Sequence, residues 1–321
     1  MKFYPLKLIP DRKSIIWGGK QISELFNIGT KGENIAEAWM LTVRPDGVNV
    51  IENGEYAGTS LSEYIEKAGQ ENIYGKDEFP LLIKIIDACD KLSVQVHPDD
   101  EYAKTHGLDA GKTEMWYILD AKPGATLVNG LKDGVNAQLV GEAAKSGKLE
   151  KYLNYTPVKK GDCFFIPAGL VHAIGEGILI AEIQQNSNTT YRIYDYERRD
   201  KNGNKRELHI ESACEVIKEK FDLENTRVNE VIYEKDGVKV TLLCLCEFFS
   251  AKNHEIEKGN LISINTDGKM LHLMCVGGNG YIECEGEKYE FKKGDSYLIP
   301  LAIKEVKVYT EDKLEFISSV N

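Results

Sequence analysis

Apolar positions along this chain alternate far more often than they recur at helical spacing, so strands dominate the reading. In LSVQVHPDD (92–100), Leu92, Val94 and Val96 point one way and Ser93, Gln95 and His97 the other. The preceding PLLIKIIDACDK (80–91) already reads as core. The polar face of the next strand therefore looks inward, onto something that wants nitrogen and oxygen. Helical signals are few. Ser60 and Glu63 in TSLSEYIEKAG form a capping-box pattern, and the sequence predicts further helices over 141–153 and 208–221. Elsewhere short β-branched or aromatic runs are separated by Gly, Asn and Asp turns, as in an antiparallel sandwich or barrel. GGNG (277–280) reads as one such hairpin turn.

One motif repeats. KKGDCFFIP (159–167) returns as KKGDSYLIP (292–300), each with a Gly-Asp turn, a short apolar strand and a closing Pro. Two related β-barrels explain this economically. The charged stretch DLENTRVNEVI (222–232) is the natural boundary, giving domains 1–228 and 229–321. The copies differ just beyond the repeat: the first continues to His172, whereas the matching position of the second is Glu305. The first barrel is equipped for chemistry and the second is structural.

Composition narrows the classes. The chain has 321 residues, 42% hydrophobic and 28% charged, and a formal charge of −11, which argues against a nucleic-acid surface. No stretch reaches the roughly 18 apolar residues of a membrane span, and the N-terminal segment lacks a signal-peptide core. A cytoplasmic location is expected. Seven scattered cysteines without a CxxC pair read as free thiols, with Cys244 and Cys246 as core positions of one strand.

The first barrel concentrates the chemistry. Gln95 and His97 are joined by Glu114 in KTEMWYIL and by His172 in PAGLVHAIG. A lone histidine before a proline is ordinarily a hydrogen-bonded surface residue, but imidazoles with a carboxylate in one barrel form a ligand set for Zn²⁺ or Fe²⁺. Glu182, Gln184 and Asn186 add a second polar strand face, followed by Arg192; Lys112 shares a face with Glu114. A metal, an Arg and a Lys together suit an anionic, oxygen-rich substrate. Arg198, Arg199, Lys201 and Arg206 read as the solvated rim of an NG turn, and His106, His209 and His254 as solvated. His272 reads as a satisfied strand histidine. Phosphate-loop, dinucleotide and GxSxG signatures are missing from the chain.

FPLLIKIIDACDKLSVQVHPDD, KTEM, IPAGLVHAIG and SNTTYR resemble the compact bacterial form of the type I mannose-6-phosphate isomerases, as do WGG (17–19), EAWM (37–40) and RELHI (206–210). The resemblance implies a mainly β fold of two cupin-type jelly-roll barrels with a few short helices. It implies one zinc ion per chain on Gln95, His97, Glu114 and His172, a catalytic Arg192, and substrate contacts from Ser93 and Lys112. It further implies interconversion of mannose 6-phosphate and fructose 6-phosphate through an enediol, in a monomer or homodimer with no nucleic-acid or membrane partner. Three positions depart from the family pattern: Gly111 replaces a His, Thr113 a Pro and Asn188 an Asp. Proton transfer is then left to Lys112, Glu182 or a zinc-bound water. The helical insertion of longer relatives is reduced to roughly 130–156. A cupin dioxygenase using Fe²⁺ and a non-catalytic sugar-phosphate-binding cupin are the competing readings.

Overall fold

The computed structural model describes residues 1–199, 202–221 and 226–321. The first half is two antiparallel sheets. One runs Cys163–Ile166, Glu114–Ala121, Ile178–Gln185, Leu81–Ala88, Glu37–Leu41 and Asp11–Lys13. The other runs Leu153–Pro157, Thr126–Leu131, His172–Ala173, Val94–Val96 and Tyr191–Tyr194.

Alternation decides what lies between them. On the six-stranded sheet, Trp116, Ile118, Ile180 and Ile86 face the space between the sheets. Met115, Tyr117, Ala181, Ile183, Ile83 and Ile85 face away and pack on Leu243, Phe249, Met274 and Ile317 of the second half. This sheet has no wet face, which is why Leu81–Ala88 reads as continuous core. On the five-stranded sheet, Val94, Val96, Val128, Ala173 and Ile193 pack outward in the cluster that includes the helices Ala137–Lys145 and Ile210–Val216. Their polar neighbours Gln95, His172 and Arg192 are therefore turned inward.

The second half has the same scheme. Ser296–Ile299 pairs with the long strand Leu271–Cys284 as Cys163–Ile166 pairs with Glu114–Ala121, so the sequence repeat is also a repeat of register. The mainly β expectation holds. One strand crosses over: Leu6–Ile9 lies between Ser296–Ile299 and Val50–Ile51, hydrogen-bonding the chain's beginning into the second half's sheet.

The local expectations fared unevenly. The capping box at Ser60 is formed and starts the helix Leu61–Ala68, a cap worth about 1 kcal/mol. The helix expected over 141–153 instead spans Ala137–Lys145, because Asn136 caps it by accepting from the Leu139 N–H. A 3₁₀ turn, Leu149–Tyr152, follows. The 208–221 helix is only Ile210–Val216, ending where Ile217 turns extended. GGNG is no hairpin turn. It lies inside Leu271–Cys284, at a register shift where that strand leaves one set of partners for another. Gly278 has φ +70°, and a Cβ there would stand 1.8 Å from the Lys313 carbonyl oxygen. Of the expected boundary stretch, 222–225 lies outside the described residues, and Arg227–Lys235 is an edge strand of the second half.

Candidate metal centre and active-site cleft

His97, Glu114 and His172 meet between the two sheets of the first half, all fully buried, with ligand atoms within 4.8 Å of one another. Their positions follow from register. His172 lies opposite Gln95, Gln95 opposite Arg192, and Glu114 opposite Gln184. Residues directly opposite across an antiparallel pair share a face. Gln95, His172 and Arg192 thus form a row on one sheet, and Glu114 comes from the other.

The two imidazoles are fixed by their outer nitrogens. His97 Nδ1–H donates to the Thr189 carbonyl at 2.9 Å and His172 Nδ1–H to the Leu170 carbonyl at 2.8 Å. Each Nε2 is then a lone pair, and the two stand 3.1 Å apart. Each also lies 3.5 Å from a carboxyl oxygen of Glu114. Neither Glu114 oxygen accepts an oriented hydrogen bond, although the Lys112 ammonium is 2.8 Å from Oε2. Converging lone pairs and orphaned buried oxygens are costly without a cation. The donor set fits a divalent metal. The Gln95 amide Nε2 is 3.4 Å from His172 Nε2, and turning the amide over brings its carbonyl oxygen to the cluster instead.

The electrostatics agree. Burial, with Lys112 and the other histidine, pushes His97 well below the usual imidazole range, and burial brings His172 to about 3, so both rings are neutral ligands. Burial and the nearby Glu182 raise Glu114. Glu182 itself is lowered: burial opposes its charge, but Lys112 and Lys84 outweigh it. Trp116 Nε1–H donates to Glu182 at 3.0 Å, and Lys84 bridges Glu182 and Glu37 at 3.3 and 3.5 Å.

The cluster adjoins a cleft of about 640 Å³. Arg12, Lys13, Lys84, Lys112, Arg192 and Arg206 line it against three acids, Glu37, Asp46 and Glu182. In a chain of charge −11, this is a local cationic basin suited to an anionic substrate. Ser93, Gln95 and Asn188 line it as well. Arg192 is steadied by the Glu207 carbonyl, to which Nη1 donates at 2.8 Å, while its buried Nε has no partner.

Sequence reasoning gave no role to Lys84, visible only as a single lysine in an apolar run, nor to Glu37 and Trp39, which entered only as part of the EAWM motif. It also misplaced Arg206, which is not mere rim: it lines the cleft and pairs with Asp195 at 2.5 Å. Arg198 shares Asp195, Arg199 is exposed, and Lys201 lies outside the described residues. His254 is buried on a strand, not solvated, whereas His106 is exposed and His209 half-buried. His272 is a strand histidine as expected but only half satisfied: Nε2 is 2.8 Å from Ser296 Oγ, while its buried Nδ1 has no partner.

The three unusual positions have structural counterparts. Gly111 tolerates no side chain, since a Cβ would lie 2.5 Å from the Asp100 nitrogen. Thr113 N–H donates to Gln185, a bond proline could not make. Asn188 donates to Asp46 at 2.8 Å, so a carboxylate reaches this spot from another loop.

Known proteins agree with this picture. The model of the type I phosphomannose isomerase catalytic domain matches residues 6–144, and that of the mannose-6-phosphate isomerase cupin domain matches 239–321. The mannose-6-phosphate isomerase of Streptococcus mutans is 36% identical over 94% of this chain and 93% of its own. ManA of Bacillus subtilis is 37% identical, covering 95% of each. The crystal structure of the Bacillus subtilis mannose 6-phosphate isomerase superposes with a TM-score of 0.88 at 32% identity, over 98% of this chain and 99% of that one.

Proposed function

The chain belongs to the type I mannose-6-phosphate isomerase family, and from that premise we propose how its first cleft works. It is an aldose–ketose isomerase that interconverts D-mannose 6-phosphate and D-fructose 6-phosphate. One zinc ion is held by His97, Glu114 and His172, with the Gln95 carbonyl oxygen as the fourth ligand. The observation that carries this is the pair of facing Nε2 nitrogens beside a fully buried carboxylate that accepts no oriented hydrogen bond. When bound, zinc supplies Lewis-acid stabilisation of charge developing on the sugar oxygens.

The protein's own groups do the rest. A proton leaves C2 of the open-chain sugar and returns at C1, with negative charge spread over O1 and O2 between the two events. Arg192 lies across from Gln95, so its fixed, permanently charged fork stabilises that charge. Lys112 stands 2.8 Å from Glu114 and 3.2 Å from His97 Nε2, placing a cation against the same oxygens. Proton transfer is assigned to Lys112 and Glu182; the latter is kept ionised by its lysines and oriented by Trp116. Ser93 contacts the sugar from the cleft wall. Such transfers contribute typically about 10²–10⁴-fold.

The expected units are 1–228 and 229–321; because the strand Arg227–Lys235 belongs to the second half, we assign that whole strand to the metal-free unit. A cytoplasmic monomer or homodimer is the accompanying reading, supported by seven free thiols; among the described residues no helix is long and apolar enough to cross a membrane. Metal analysis of purified protein with a coupled isomerase assay tests the whole. One zinc per chain and turnover are expected. Iron with oxygen uptake, or binding without turnover, would reject the proposal.

A further inference from the structure

The second half has a cavity of about 620 Å³ between its sheets, nearly the size of the catalytic cleft. Register aligns the two site by site. Ile166 pairs with Glu114, and its repeat partner Ile299 pairs with Leu271. Gln184 lies opposite Glu114 and Val320 opposite Leu271, so Glu182 corresponds to Ser318. Lys84 pairs with Glu182, and Lys252 with Ser318. Counting back two positions from Glu114 and from Leu271 matches Lys112 with Lys269.

The substitution is selective. Both lysine positions are kept, and two of the three carboxylates that pair with them in the first cleft, Glu114 and Glu182, are replaced by Leu271 and Ser318. Lys252 and Lys269 have no ion-pair partner among the described residues, where Lys84 and Lys112 have two and one. His254 also lines the cavity, 3% exposed, with Nε2 on Ser318 Oγ at 2.8 Å and its buried Nδ1 unpartnered. Val238, Val240, Ile262, Ile264, Leu271 and Val320 give it an apolar wall, and Ser250, Ser263, Asn265 and Thr266 are among its polar lining. Asp267 is the one acid among the lining residues, and it is exposed.

We propose that this cavity is a binding site for a small organic carboxylate with an apolar body. The carboxylate lies against Lys252, and the body is taken by the aliphatic walls. Carboxylate recognition by a lysine without an ion-pair partner among the described residues supplies the orientation, and burial of the body the affinity.

Benzoate is the probe, titrated by calorimetry and saturation-transfer NMR into full-length, metal-loaded enzyme saturated with the equilibrium sugar phosphates. One benzoate per chain is expected, bound equally by Arg192→Ala. Lys252→Met should weaken it at least about tenfold, and Ile262→Trp should abolish it by filling the space. Both positions are partly exposed, and unchanged isomerase turnover in both variants shows that the fold is intact. Benzyl alcohol, which lacks the charge, should bind at least about tenfold more weakly. The proposal is overturned by no binding at about 10 mM benzoate, by displacement with sugar phosphate, by loss in Arg192→Ala, or by indifference to Lys252→Met.

Discussion

The two halves of this molecule share a register and differ in what that register carries. At matched positions the first has Glu114 and Glu182, the second Leu271 and Ser318; the lysines Lys84 and Lys252 occupy equivalent places in both. His172 is buried in the first cleft, while Glu305, at the same distance past the repeat, is exposed. The strand frame tolerates either set because it is held by backbone pairing and by the apolar face opposite the site. What the difference teaches is that the metal centre depends on a handful of inward side chains, not on the barrel.

The largest break in the comparison comes from removing a ligand. His172→Ala takes one of the two imidazoles from the first cleft and leaves His97, Glu114 and Gln95. Metal measured by mass spectrometry should fall well below one per chain and isomerase activity to background, with far-UV circular dichroism unchanged. Full zinc occupancy in this variant would remove His172 from the ligand set. Gln95→Ala should be milder, since water can replace a neutral amide.

Arg192 comes next. Its alanine variant should lose about 10²–10³ in kcat, with kcat/KM falling in step and zinc content unchanged. Lysine should rescue poorly because it lacks the planar fork. A rise in KM alone would place Arg192 on the phosphate instead of the reacting carbons.

The matched lysines sharpen the contrast in stability. Lys84→Met removes the cation between Glu182 and Glu37, leaving them Lys112, Trp116 and Trp39, and should cost about 2–3 kcal/mol in urea unfolding. Lys252→Met, with no acid to strand, should cost less than about 1 kcal/mol. Equal costs would show that the Lys84 network is not a coupled unit.

The smallest effect concerns pH in the second half. Burial holds His254 and His272 down to about 3, against an ordinary 6.5, with Lys252 also opposing charge on His254. Each faces a serine, Ser318 and Ser296, and no carboxylate. Below pH 6.5 the unfolded chain binds protons that the folded one refuses, so stability falls as pH drops from 6.5 toward 3. The slope is at most about 1.4 kcal/mol per pH unit for each histidine. His254→Gln and His272→Gln should flatten the acid limb measured by urea titration at pH 6.5 and 5; an unaltered limb would assign the loss to other groups.

Much of this could be read before any fold was known. Alternation in LSVQVHPDD put Gln95 and His97 on one face because strand side chains repeat every two residues. The KKGD repeat exposed the duplication and, through His172 and Glu305, its asymmetry. The capping box at Ser60 was legible because its two hydrogen bonds are made within four residues. Local rules failed where distant packing overrode them. GGNG has turn composition, yet it lies inside a strand at a register shift, where the Lys313 carbonyl leaves no room for a Cβ at Gly278. Lys84 looked like an interruption of an apolar run, and only the pairing of Leu81–Ala88 with Ile178–Gln185 sets it against Glu182. His254 stood among polar neighbours in the chain and was buried by a partner strand 64 residues away. Sequence alone therefore determined which side chains share a face and which motif is repeated, since these follow from backbone geometry over a few residues. Tertiary structure decided which faces meet, and with them the identity of each buried charge's partner, because a low-dielectric contact between remote strands leaves no trace in local periodicity.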